Sequence, residues 1–169
     1  MGDDRAVGRV THYFSLDPDG VMVHFQPQEV AFLGDILGVL GRLGHPDEDP
    51  GAARLDPPAY LEDPEADAEW RRFAGSELSS ARRADRSAFE MVIEAVESSE
   101  DNEVVISNAE AEAVMRVVNE ARLVLAARWG IDSPEAYDDI RPEASDALSF
   151  LGWIVSELAM VLGGSLDRP

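Results

Sequence analysis

Two arginines carry the strongest chemical demand in this chain. Val114, Val117, Val118, Ala121, Val124 and Leu125 recur at helical spacing and form an apolar stripe. Arg122 sits at the edge of that stripe, and Arg128 projects into it near its end. A guanidinium stays protonated and offers five donors with no acceptor, so on an apolar face it must meet an oxygen. One acceptor is internal: an ion pair joining helices through Asp85, Glu157 or a loop carboxylate. The other is an acidic segment of a partner. Arg82, Arg83 and Arg86, together with Arg71 and Arg72, make 71–86 the only net basic stretch. Arg82 and Asp85 lie three residues apart on one helical stripe, which is pairing distance.

Other catalytic chemistry has little to build on. The three histidines are His12, His24 and His45. His12 and His24 point to opposite faces of a two-stranded ribbon, so they cannot share a metal ion. The H-E-x-x-H, G-x-S-x-G, G-x-x-x-x-G-K-[ST] and G-x-G-x-x-G patterns do not occur. No inward E-x-x-H pair repeats, and the calcium-loop spacing is missing. The chain has no cysteine, which removes disulfides, thiolate nucleophiles, cysteine-ligated zinc and iron–sulfur clusters. No catalytic residue, cofactor or metal is expected.

Charge narrows the function classes further. The 34 acidic residues outweigh the 14 basic ones, for a formal net charge of −20 over 169 residues. Every basic residue is arginine. Binding a polyanion needs clustered cations that release its counterions. A body this negative repels nucleic acid and anionic lipid and favours cationic or apolar protein surfaces. Direct nucleic-acid binding would rest on 71–86 alone, and no helix-turn-helix spacing supports it.

The elements that must position these groups read as follows. Residues 9–26 alternate as a β-hairpin, with Val10, His12, Phe14 and Leu16 set against Thr11, Tyr13 and Ser15. Asp17-Pro18-Asp19-Gly20 is the turn. The expected register pairs Leu16 with Val21, Phe14 with Val23 and His12 with Phe25. Pro27–Leu43 is the first helix, in which Gly34, Gly38 and Gly41 suggest a close crossing, a kink or an earlier end. Residues 44–64 form an acidic, proline-rich loop that Tyr60 and Leu61 could pin to the core. Nine acids and one arginine lie between Gly44 and Glu69, either a solvated connection or a bait for a basic partner.

A short helix, 65–73, precedes a longer one at 76–98, whose stripe is Leu78, Ala81, Phe89, Val92, Ile93 and Val96. After an extended Glu103–Ile106, Ser107-Asn108-Ala109-Glu110 has the form of a capping box and starts a helix to Trp129, stopped by Gly130. A turn of helix opens at Ser133-Pro134, and a last helix spans 142–162, ended by Gly163 and Gly164. That helix is apolar nearly all round, so it is central or shared between subunits. Trp153 and Met160 oppose its main apolar face and are the candidates for an exposed patch. Trp129 reads as core. The fold class is mainly α: one compact domain, 1–169, of five to six helices with an N-terminal β-hairpin.

Several segments, in order, resemble a known family. They are Leu55-Asp56-Pro57-Pro58-Ala59-Tyr60, Asp63-Pro64-Glu65-Ala66, the Phe73–Arg86 helix and Asn119-Glu120-Ala121-Arg122-Leu123-Val124-Leu125. Arg128-Trp129-Gly130-Ile131 and the closing Trp153-containing helix complete them. Order and spacing resemble the actinobacterial DUF2017 family, whose members are described as AosR-type oxidative-stress regulators. The resemblance spans about Pro27 to Leu162. It implies a cytoplasmic regulator in a high-GC Gram-positive bacterium, often encoded beside the Clp protease adaptor and linked to transcription under oxidative stress. It transfers no catalytic residue, and any thiol-switch form of that regulation cannot operate without cysteine.

The expected function is therefore a non-enzymatic cytoplasmic regulator or adaptor. It would dock a cationic protein surface, such as a sigma factor or another RNA polymerase component. The charged N-terminus, with no apolar run behind it, fits that compartment. Two alternatives stand beside it: a homo-oligomeric scaffold, for instance a dimer through the last helix, and a small-molecule binder with an arginine–carboxylate site. The candidate interface residues are Arg82, Arg83, Arg86, Arg122, Arg128, Trp153 and Met160.

Overall fold

Pro18 and Asp19 form the two-residue turn of a hairpin in the computed structural model, which describes residues 12–166 and only the backbone of residues 165 and 166. Strand β1 (Phe14–Asp17) pairs antiparallel with β2 (Gly20–His24), with Phe14 opposite Val23 and Leu16 opposite Val21, the expected register. His12 and Phe25 flank this ladder without joining it, and Val10 and Thr11 lie outside the described residues. A β-carbon on Gly20 would stand 2.1 Å from the carbonyl oxygen of Ile106, so only glycine fits there. The extended segment Glu103–Ile106 is a third strand, β3, paired antiparallel along β2, Val21 opposite Ile106. A two-stranded ribbon is marginal alone, and this third strand completes a small sheet.

Helix α1 (Pro27–Gly41) starts in a capping box of Gln26 and Glu29 and buries Val30, Leu33, Ile36 and Leu40. Its glycines mark no close crossing. A β-carbon on Gly34 or Gly41 would meet nothing within 4 Å, and one on Gly38 would meet only the Arg42 side chain. The acidic segment is not all loop, because α2 (Pro50–Leu55) interrupts it. Asp49 caps α2 by accepting the Gly51 N–H, with proline at the first helical position. Tyr60 and Leu61 pin nothing: they are 50% and 85% exposed.

The two helices expected over 65–98 are one, α3 (Pro64–Ser98), 35 residues long and capped by Asp63. It runs straight through Gly75, where a β-carbon would meet open space. Glycine weakens a helix interior by about 1 kcal/mol and ends a helix only where its φ turns positive. Among the described glycines φ is positive at Gly20, in the hairpin, and at Gly130, just past the end of the helix at 108–128. The buried stripe of α3 is shorter than its sequence pattern. Phe89, Val92, Ile93 and Val96 are buried, whereas Leu78 and Ala81 are exposed.

Helix α4 (Asn108–Arg128) is capped as its sequence foretells. Ser107 accepts the Glu110 N–H, and Glu110 accepts the Ser107 N–H in return. Helix α5 (Pro134–Asp138) is one turn long, and α6 (Pro142–Leu166) continues past Gly163 and Gly164, again because neither has positive φ. The core forms where α1, α3, α4, α6 and the sheet meet. Leu151, Ile154 and Leu158 of α6 pack on α4, whose Val117, Val118, Ala121 and Val124 are fully buried. Tyr13 seats the hairpin on this body, its ring 5.6 Å from Phe25 and 5.5 Å edge-on from Phe150. Trp129 is half-buried against the core.

Candidate partner-binding face

From Ala147 to Gly164, α6 carries one charged residue, Glu157, and that residue is buried. The rest of the outward surface is neutral. Ser149, Trp153, Ser156 and Met160 follow one another at spacings of four, three and four, which places them on one helical edge. Trp153 is 51% exposed and Met160 68%. With His12 and Glu157 they line a shallow hollow of about 400 Å³. In a chain of net charge −20, this is a neutral strip in which Trp153 and Met160 are the exposed apolar groups. By length and composition, residues 142–164 would also suffice to cross a membrane, with mean hydropathy up to 1.6.

Glu157 organises this strip from beneath. Its carboxylate accepts the Trp153 indole N–H at 2.7 Å and the Tyr13 backbone N–H at 2.8 Å, and it stands 3.1 Å from His12 Nδ1. A buried carboxylate needs such donors. The contacts orient the indole, so Trp153 meets solvent as a fixed plate. Glu157 had stood as a possible partner for Arg122; it takes Trp153, Tyr13 and His12 instead.

Arg122 lies on the other flank of α6, where α4 faces Gly152. Its Nη2 donates to Asn119 Oδ1 at 3.1 Å. Neither Asp85, Glu157 nor any other described carboxylate reaches it, and its buried Nε has no partner. It borders a groove of about 360 Å³ lined by Leu123, Ala126, Ile131, Leu148, Ser149 and Tyr137. The groove opens into a wider one, of about 700 Å³, that includes Arg54 and Asp132. The Tyr137 hydroxyl stands 3.4 Å from Ser145 Oγ and 3.3 Å from Ser149 Oγ, and these hydroxyls hold its pKa below the ordinary phenol value.

The remaining arginines divide. Arg128 takes the internal option, a loop carboxylate: its Nη2 donates to Asp49 Oδ2 at 2.6 Å and its Nε to Oδ1 at 3.0 Å. Asp49 also accepts the Gly44 and Gly51 N–H groups. Arg128 first, and then these amides, hold the Asp49 carboxyl well below the usual carboxylate range. Arg82 and Asp85 do not pair with each other. Both turn across to α4, where Arg82 and Arg86 converge on Glu120 at 3.0 and 3.1 Å and Asp85 takes Arg116. Arg82 also donates to Leu55 O and Arg86 to Leu40 O, so both act as staples between elements. Arg71 is held by Asp56 and Asp67. Arg83 is exposed and pairs with no described carboxylate.

The seven candidate residues thus form no single site. Trp153 and Met160 share one edge of α6, Arg122 lies on its other flank, and Arg82, Arg86 and Arg128 are engaged inside the fold. Sequence reasoning passed over Glu157 as an organiser, Tyr137, Ser149 and Asp49. A tryptophan and a glutamate four residues apart on an apolar helix were the available signal for Glu157. Among the described residues, no group of three or more histidine or acidic side chains stands close enough to hold a metal ion.

A family model described as a domain of unknown function, DUF2017, matches residues 11–162. No curated protein and no solved structure matches the chain.

Proposed function

We propose that this chain, which belongs to the DUF2017 family, is a non-enzymatic regulatory adaptor of the cytoplasm that works by docking a protein partner. The observation that carries this reading is the neutral Trp153–Met160 strip set in a body of net charge −20. The strip supplies desolvation energy at contact, and the surrounding carboxylates steer a cationic partner toward it. A tryptophan held by a buried acceptor is pre-ordered for burial in a partner's pocket, so little rotamer entropy is lost on docking. The resemblance to oxidative-stress regulators makes a sigma factor or another RNA polymerase component the first partner to try. The signal then comes from outside this chain's thiol chemistry, since it has no cysteine.

Two further features fit. Arg82, Arg86 and Arg71 are occupied by internal carboxylates, which leaves Arg72 and Arg83 as the outward arginines of the basic stretch. The groove of α4 and α6 seats Arg122 among apolar and hydroxyl side chains, and Asp132 lies in the wider hollow beyond it.

The test is binding of purified RNA polymerase components and sigma factors to the wild-type chain and to Trp153→Asp/Met160→Asp. Trp153→Asp also removes a donor to the buried Glu157, so Met160→Asp alone, at a position 68% exposed and away from that contact, is the variant that keeps the fold. The expected result is binding that weakens as salt rises and is lost in the variant. Absence of any salt-sensitive partner overturns the reading. A second reading, a homodimer, follows from the 4-3-4 spacing of Ser149, Trp153, Ser156 and Met160, since two copies of like charge can approach only along a neutral strip. Light scattering that finds wild type and variant both monomeric removes it.

A further inference from the structure

The groove beside Arg122 has a chemistry independent of partner docking. Among the described residues, four arginines are half-buried: Arg71, Arg82, Arg86 and Arg122. The first three reach a carboxylate, and Arg122 reaches only the Asn119 amide oxygen. This happens in a chain with 34 acids. A guanidinium taken part-way out of water with one neutral acceptor is under-coordinated. Its Nε is buried and unpaired, while Nη1 lies toward Gly152, where a β-carbon would be 3.8 Å away. The absent side chain at Gly152 leaves the fork open on the groove side.

The surroundings define what would complete it. Leu123, Ala126, Ile131 and Leu148 supply an apolar wall, and the Tyr137 and Ser149 hydroxyls supply polar groups at the same groove. An apolar cleft of about 360 Å³ with one cation and a few hydroxyls has the make-up of a small-ligand site. The single guanidinium at this groove then selects among anions. Screening over about 8 Å lets a local guanidinium outweigh distant carboxylates for a single negative charge. A dianion such as a phosphate gains twice the attraction, but its desolvation cost in an apolar groove rises with the square of its charge, and one guanidinium leaves its second charge unpaired. We infer that this groove binds a small carboxylic acid with one negative charge and an apolar body, its carboxylate on Arg122 and its body against Leu123, Ala126 and Leu148.

The probe is benzoate, with benzamide as its neutral isostere and phenylphosphonate as a doubly charged analogue. All three are titrated into the ¹⁵N-labelled full chain and followed at the Arg122 side-chain N–H and the Gly152 amide. Benzoate should shift both resonances saturably. Benzamide should bind at least roughly tenfold more weakly, because a charge-assisted hydrogen bond is lost, and Arg122→Gln should lower benzoate affinity by a similar factor. Phenylphosphonate should bind more weakly than benzoate. Equal binding of benzoate and benzamide, no saturable shift with benzoate, or phenylphosphonate binding as tightly as benzoate each overturns the inference. The comparison of ligands uses wild-type protein alone, so it stands even if Arg122→Gln does not fold.

Discussion

Trp153 donates its indole N–H to Glu157, one turn further along the same helix, at 2.7 Å, and the same carboxylate takes the backbone N–H of Tyr13 at 2.8 Å. One buried acid therefore fixes both an exposed aromatic plate and the entry of the hairpin. Replacing Glu157 by leucine would leave two donors without acceptors at the protein surface boundary. We expect Glu157→Leu to destabilise the fold by about 2 kcal/mol or more in urea titration, and Glu157→Gln, which keeps one oxygen, by less. Trp153 emission, isolated by comparison with Trp153→Phe, should broaden and shift to the red in Glu157→Leu as the indole loses its fixed orientation. Unchanged stability and emission would refute this role for Glu157.

The Asp49–Arg128 pair makes a pH prediction. The folded-state pKa of Asp49 lies below its unfolded value, chiefly through the Arg128 hydrogen bond. A depressed carboxyl contributes stability that is fully present above the unfolded pKa, about 3.9, and lost as pH falls through the folded pKa. The stability gap between wild type and Asp49→Asn should therefore be flat from neutrality down to about pH 4–5 and close below that. Hydrogen exchange adds a local check: the Gly44 and Gly51 amides, both donors to Asp49, should exchange faster in Asp49→Ala. A gap that persists undiminished in acid would argue against the pair.

Local chemistry was legible wherever a short-range rule decided the outcome. The turn at Asp17–Gly20, the hairpin register and the capping box at Ser107–Glu110 each involve residues within a few positions of one another. The misreadings were of two kinds. Gly163 and Gly164 read as stops and residues 74–75 as a gap between two helices, yet a glycine whose φ stays negative continues a helix. The second kind was partner choice. Arg82 sits beside Asp85 on its own helix but pairs with Glu120 on α4, because the α3–α4 seam is decided by packing that no local pattern contains. Likewise Asp49 is one acid among nine in its segment, and only the fold brings it to Arg128 across 79 positions. The neutral strip on α6 could be read from composition; that Glu157 holds its tryptophan required the hairpin to be in place.

Tyr13 and Tyr137 should separate in an alkaline titration. Burial, and after it the Glu29 carboxylate, pushes the Tyr13 phenol up to about 12. Tyr137 moves the other way, through its Ser145 and Ser149 hydroxyls. Phenolate absorbance should thus rise in an early step that disappears in Tyr137→Phe and a late one that disappears in Tyr13→Phe. A phenol whose folded pKa is raised contributes stability below the unfolded value, about 10, that is lost as pH climbs through the folded one. Tyr13→Phe should accordingly lose less stability between about pH 10 and 12 than wild type does. A single unresolved phenolate step in the folded protein would contradict both assignments.

Gly51 tests how closely α2 sits on α4. A β-carbon there would stand 2.7 Å from Val124 Cγ1 and 3.2 Å from both Arg128 Nε and Asp49 Oδ1. Two effects compete in Gly51→Ala. Removing backbone freedom favours the variant by up to about 1 kcal/mol, while overpacking opposes it by about 1–3 kcal/mol. The clash should win, because the three groups in contact cannot all retreat: Val124 is buried in the core, and Arg128 and Asp49 hold each other. We expect net destabilisation in wild type and a neutral or stabilising effect of the same change in a Val124→Ala background, where the space has been vacated. The coupling between the two positions, measured by a double-mutant cycle in urea, should exceed about 1 kcal/mol. Additive effects would mean that α2 rests on α4 more loosely than these distances require.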